Sequence, residues 1–160
     1  MTNTFKTFCT ALLLTVFAIG NTHFSAKAAT TFANEKLNYE IVYHWGMIWK
    51  HAASATLSLS NSGEYYNTAL VAHTRSWADK IYQVRDTLTS TILKKGFKPI
   101  KYVKISHEGS HYGKDIVQYS YDTNASTANC TIIRKDKDAR HITLQAPGQA
   151  YDMLSVFYYL

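Results

Sequence analysis

Two cysteines in 160 residues, Cys9 and Cys130, leave little material for covalent bracing. Cys9 stands at the start of an N-terminal apolar run that reads as a removable leader, so Cys130 is left alone and cannot form an internal disulfide even in an oxidising compartment. The fold must rest on packing. Cys130 in NCTII reads as a buried strand residue, and no histidine close in sequence suggests an activated thiol. Glycine-rich phosphate loops are missing as well: neither G-x-G-x-x-G nor G-K-[ST] occurs, so no nucleotide cofactor is expected. Without a G-x-S-x-G elbow, acyl transfer has no visible nucleophile. There are no internal repeats, linkers or low-complexity stretches, and the length suits one domain with a real core.

Long apolar runs are confined to the first residues. MTNTFKTFCTALLLTVFAIGNTHFSAKAAT gives a short polar start with Lys6, an apolar run from Phe8 to Gly20, and small residues at Ala26-Lys27-Ala28. That order is the pattern of a secretory signal peptide, and the run is too short to span a bilayer. The expectation is a cleaved leader over 1–28, a single β-rich domain over 29–160, and a periplasmic or secreted product with no transmembrane segment. Cys9 precedes the cleavage site rather than following it, which favours a freely soluble product over a lipid-anchored one. The mature chain then holds 15 basic and 11 acidic residues, a balance of +4. Such a charge is mild, and the basic residues are scattered over Lys94–Lys104 and Arg134–Arg140, so they read as solvated strand faces. Nucleic acid is not expected as a partner. Attraction to anionic polymers or lipid head groups is the lesser role for them.

Period-two alternation is what the mature chain has in abundance. Leu37, Tyr39, Ile41 and Tyr43 alternate with Asn38, Glu40 and His44; Ala53, Ala55, Leu57 and Leu59 alternate with serines and threonines. Asn61-Ser62-Gly63-Glu64 supplies turn chemistry before YYNTALVAHT. RSWADKIYQV suggests a helical kink at Ala78–Lys80, then a strand to Thr91. Gly96 and Pro99 punctuate the next turn. Further strands are expected near 100–108, 111–121, 129–135 and 140–145. After Pro147-Gly148 the period changes: Met153, Leu154, Phe157, Tyr158 and Leu160 would share one helical side, with Asp152 as N-cap. The fold class is therefore mainly β, an antiparallel meander forming a curved sheet or partly open barrel, closed by one C-terminal α-helix. That helix runs to Leu160 with no cap or polar tail, so a longer relative is expected to continue beyond it.

His107-Glu108-Gly109-Ser110-His111 matches H-E-x-x-H, in which two histidines one helical turn apart hold zinc. The surroundings favour a hairpin instead, since β-type residues precede the motif and Gly109 and Gly113 each weaken a helix by about 1 kcal/mol. Pairing across a Gly109-Ser110 turn sets Glu108 against His111, Lys104 against Asp115, Val103 against Ile116, Tyr102 against Val117 and Ile100 against Tyr119. In that register the two imidazoles point to opposite sides, so no metal site is expected there. The remaining histidines, His44, His51, His73 and His141, read as surface or strand-end residues.

Two further constellations bear on chemistry. Asp79 and Asp86 flank KIYQVRD and could serve glycoside hydrolysis if held at a suitable separation; the plainer role for Asp86 is an ion pair with Arg85 or a lysine. Trp45, Trp49, Trp77, Tyr82, Tyr112 and Tyr121 exceed what a small core needs. Core filling is their commoner use, and lining a cleft for an acyl chain or stacking on sugars is the other. The candidate ligand-binding residues are Trp45, Trp77, Tyr82 and Asp86, with no catalytic residue assigned.

Three stretches in order, LNYEIVYHWGMIWKHAASATLSL, IYQVRDTLTS and YDMLSVFYYL, resemble the family of domain of unknown function 3108. The resemblance implies an exported protein of the Gram-negative envelope with a mostly antiparallel β fold, and it implies no activity or catalytic residue. Members continue past the aromatic helix into further β structure, so this chain looks shortened. Trp49-Lys50-His51 replaces the usual small residue of the loop before the second strand. The functional expectation is non-catalytic binding of an amphipathic envelope component, lipid-like or glycan, on the concave side of a curved sheet. A glycan hydrolase using Asp79 or Asp86, and a structural assembly partner offering a sheet edge, are the alternatives.

Overall fold

Alternating side chains from Glu35 to Pro147 fold into strands that each pair with the next, in a computed structural model that describes residues 32–159. The leader and its cleavage site lie outside the described residues. The strands are β1 (Glu35–Trp45), β2 (Ile48–Ser62), β3 (Tyr65–Thr74), β4 (Val84–Leu93), β5 (Lys98–Glu108), β6 (His111–Tyr121), β7 (Ala125–Arg134) and β8 (Arg140–Pro147). They form one eight-stranded antiparallel meander in sequence order. Among the described residues β1 and β8 do not pair with each other, so the sheet stays open. Helix α1 (Ser76–Asp79) lies between β3 and β4, and α2 (Met153–Tyr159) follows β8.

Directly opposed residues share a face, so the register sorts the side chains. One face carries Leu57, Leu59, Tyr66, Leu70, Leu88, Ile92, Tyr102, Val117 and Tyr119, and α2 packs on it against β3 and β4. The opposite, open face carries Ser54, Thr56, Ser58, Thr87, Thr89, Gln118 and Thr131 among others. Leu154 of α2 joins Leu57, Leu88 and Tyr102, and Tyr158 bridges to the neighbouring cluster of Leu59, Tyr66 and Ile92 with Phe32 and Phe97. Phe32 meets Tyr158 and Tyr66 edge-on at 5.4 and 5.8 Å. Burial pushes the Tyr102 hydroxyl up to about 12, with Asp152 and Asp115 adding to the rise.

The Gly109-Ser110 hairpin forms as the sequence implies, pairing Glu108 with His111, Lys104 with Asp115, Val103 with Ile116 and Tyr102 with Val117. The ladder ends at Lys101 with Gln118, one step short of Ile100 with Tyr119. Gly109 takes φ +59° and Ser110 stays out of the left-handed region, the arrangement of a type II′ turn. His107 and His111 therefore sit on opposite faces. Asp152 also caps α2 as expected: its Oδ1 accepts from the amides of Leu154 (2.9 Å) and Ser155 (2.8 Å).

Several expectations need correction. Met153 and Phe157 face solvent, because the side of α2 that meets the sheet is Leu154, Ser155 and Tyr158. Trp49-Lys50-His51 is strand, not loop; the β1–β2 turn is Gly46-Met47. β4 starts at Val84 rather than Ile81, since α1 and the residues after it occupy the connection. β7 starts at Ala125, earlier than its Ala, Ser, Thr and Asn composition suggests, because both β6 and β8 pair with that stretch. Cys130 is half-buried rather than buried, on the helix-side face between Val117 and Ile142.

Candidate functional site

Helix α2 covers only part of its face, and the register shows what lies beside it. Along one row Tyr39 faces Ala55, Ala55 faces Ala72, Ala72 faces Asp86, Asp86 faces Ser106, Ser106 faces Gly113, and Gly113 faces Arg134. By side-chain size this row is low between its neighbours, a shallow trough with one carboxyl at its middle. In the adjoining row four leucines, Leu37, Leu57, Leu70 and Leu88, give way to Lys104, Asp115, Ile132 and Arg140. The β1 edge of this face stays apolar and open to solvent: Leu37, Tyr39 and Ile41 are 41, 45 and 48 % exposed.

Asp86 is the distinctive group of the trough. Its Oδ1 is buried with no hydrogen-bond partner. Burial pushes the carboxyl up from its ordinary value and Glu108 adds to the rise, while Lys104 and His107 pull it back. The expected ion pair between Asp86 and Arg85 does not form, because neighbouring strand residues point to opposite faces. At the far end Arg134 binds Asp115 through Nη1 at 2.5 Å and Nη2 at 3.2 Å. It does so by lying across Gly113, where an added Cβ would come within 3.4 Å of Nη1.

On the open face a second cleft is lined by Ser54, His73, Arg75, Trp77, Asp79 and Arg85. Arg85 holds Asp79 through Nη1 (3.0 Å) and Nη2 (2.7 Å), Thr74 Oγ1 donates to the same carboxylate, and together they keep Asp79 below its ordinary range. An acid so held stays ionised, which suits an anchor and not a proton donor. Asp79 and Asp86 do not share a cleft. Glu40 takes both oxygens to Arg75 Nη2, at 2.7 and 2.8 Å, and lies 3.3 Å from His51 Nδ1.

The four candidate ligand-binding residues are not brought together. Trp77 lines the open-face cleft, but its Nε1 donates to His51 O at 2.7 Å and Lys50 Nζ sits 4.3 Å over its ring. Tyr82 packs against the β5–β6 turn, where a Cβ on Gly109 would meet its ring at 3.2 Å. Asp86 lies on the helix-side face. Trp45 ends β1, and its side chain lies outside the described residues. Sequence reasoning missed the pair Ser54 Oγ and His73 Nε2, 3.0 Å apart and directly opposed in register. Their separation by 19 residues left no local signal. Among the described residues no carboxylate is bonded to that imidazole, so the pair acts as a cross-strand polar contact. Among the described residues no group of three or more His, Cys, Asp or Glu is placed to hold a metal ion, and no helix is long and apolar enough to cross a membrane.

Neither a curated protein nor a solved structure matches the chain. A family model does, over residues 38–160, which takes in β1 from Asn38, the other seven strands and both helices described above. The chain belongs to that family, described as protein of unknown function (DUF3108).

Proposed function

We propose that this is an exported, non-catalytic domain of the envelope that binds a lipid-like amphipathic molecule in the trough beside α2. The observation that carries the reading is the division of one sheet face. Leu37, Tyr39 and Ile41 of β1 with Ala55 and Ala72 offer apolar surface outside the core that α2 covers, Asp86, Lys104, Asp115 and Arg134 gather next to it, and short side chains keep the floor between them low. An acyl chain gains by covering the apolar half, and a polar head finds donors and acceptors on the other. Asp79, tied to Arg85 on the opposite face, gives no support to hydrolysis by a carboxylate pair.

Filling the floor tests the reading directly. Native mass spectrometry of protein recovered from envelope extract is expected to show a copurifying lipid-like mass. Ala72→Phe, at a half-buried position with no core contact to lose, is expected to lower its occupancy by about tenfold, the effect of roughly 1.4 kcal/mol of lost contact. Circular dichroism and urea unfolding of the variant report whether the sheet stands. Full occupancy in a folded Ala72→Phe protein, or no bound mass in the unaltered one, would end the proposal.

A further inference from the structure

The β1–β2 hairpin outruns the rest of the sheet. β2 first meets β3 at Ala53 with Thr74, whereas β1 and β2 go on pairing from Val42 with His51 to Trp45 with Ile48. A register shift between Ile41 and Val42 marks the departure, and the Arg75 amide donates to Ala52 O at 2.8 Å to close the corner. Beyond it Val42–His51 is a two-stranded ribbon, turned at Gly46 with φ +58°.

Such a ribbon has no interior, so polar side chains are what solvent would favour on it. This one carries Tyr43, Met47, Ile48 and Trp49, exposed at 56, 97, 57 and 70 %. Apolar groups gathered on a protrusion mean a contact with something else. The charge narrows what that is. The ten residues Val42–His51 include His44, Lys50 and His51 and no carboxylate. At the ribbon's base Glu40 is held by Arg75 and lies against His51, and Asp79 is held by Arg85. Lys50 lies over the Trp77 ring and makes no ion pair among the described residues. Trp49 is stacked on His44 with ring centroids 3.9 Å apart, a broad amphipathic slab at the tip.

Lys50, in a ribbon without a carboxylate of its own, behind an aliphatic and aromatic tip complements one surface well: anionic head groups over hydrocarbon, where Trp and Tyr settle at the boundary. The geometry points to the β1–β2 ribbon as a membrane-docking tongue that seats Met47, Ile48 and Trp49 in the interface of an anionic lipid surface, with Lys50 among the head groups. It uses different residues from the trough and stands or falls separately.

The test is local to the tip, so that binding through any other part of the full chain does not imitate it. Vesicles of phosphatidylcholine and phosphatidylglycerol in equal parts, with brominated acyl chains, are expected to quench tryptophan emission, and the quenched component is expected to vanish in Trp49→Phe. Replacing both tip aliphatics, Met47→Glu with Ile48→Glu, should weaken the quenching titration at least about tenfold, and Lys50→Gln about fivefold. Added salt and pure phosphatidylcholine should weaken it too. These side chains are exposed, so the variants keep the fold, which far-ultraviolet circular dichroism checks. Unquenched Trp49, or quenching unchanged by the double substitution, overturns the proposal. So does a dimer in solution that the double substitution abolishes without any lipid quenching, because the ribbon then serves a second copy. Loss of trough occupancy in Ala72→Phe with Trp49 quenching intact keeps the two readings apart.

Discussion

Asp152 shows how one side chain joins a helix to a sheet. It is 5 % exposed, its Oδ1 caps α2, and its Oδ2 accepts from Ser90 Oγ at 2.6 Å across 62 residues of chain. Ser155 answers it, taking the Asp152 amide through Oγ at 2.8 Å, so both ends of the cap are satisfied. Removing the carboxylate strips two amides of their acceptor and strands a buried hydroxyl; Asp152→Ala is expected to cost about 3 kcal/mol in urea unfolding. Ser90→Ala leaves the cap in place and should cost about 1 kcal/mol. Equal losses in the two variants would mean that the bond to Ser90, not the cap, is what matters. The cap was legible in the sequence, since Asp before an apolar 3.6-period run is a local signal. Ser90 was not, because nothing local ties position 90 to position 152. Asp86 divides in the same way: its place in an alternating strand was readable, but its neighbours Ala72, Ser106 and Glu108 are set by pairings with β3 and β5.

Among the elements, the β5–β6 hairpin was read most fully from sequence, and the physical reason is that its whole specification is local. Alternation on both arms and a Gly-Ser turn fix the register, and with it the faces of His107 and His111. Gly109→Ala is expected to cost about 1–2 kcal/mol, because φ +59° disfavours a Cβ and that atom would meet Tyr82 at 3.2 Å. Ser110→Ala, beside it, should change stability by under about 0.5 kcal/mol. Chemical denaturation of both separates a turn requirement from general sensitivity of the tip: a Gly109→Ala protein as stable as its parent would refute the turn. Elements set by neighbours were read less well. Trp49-Lys50-His51, the returning arm of the ribbon, looked like a loop, because its strand state is set by pairing with Val42–His44 and not by its own composition. The burial of α2 through Leu154 and Ser155, not Met153 and Phe157, depends on the angle at which Asp152 delivers the helix.

For the molecule as a whole, consecutive pairing makes stability a matter of position in the sheet. β3, β4 and β5 each have two strand neighbours, and α2 with Leu57, Leu88 and Tyr102 seals the middle. β8 has one neighbour and is almost wholly exposed, and the ribbon Val42–His51 has only its own two arms. An edge or a bare ribbon opens without disturbing the core, whereas an amide in β4 exchanges only when α2 and two ladders give way. Hydrogen exchange followed by mass spectrometry should therefore rank the segments: Val42–His51 and Arg140–Pro147 fast, Leu70–Ala72 and Thr87–Ser90 slowest, with β6 and β7 between. Leu154→Ala, which removes the helix's buried anchor at roughly 2–5 kcal/mol, should speed exchange in β3 to β5 far more than in β8. Uniform exchange across the strands would mean that the sheet opens as one body, in which case α2 is not the element that holds its centre.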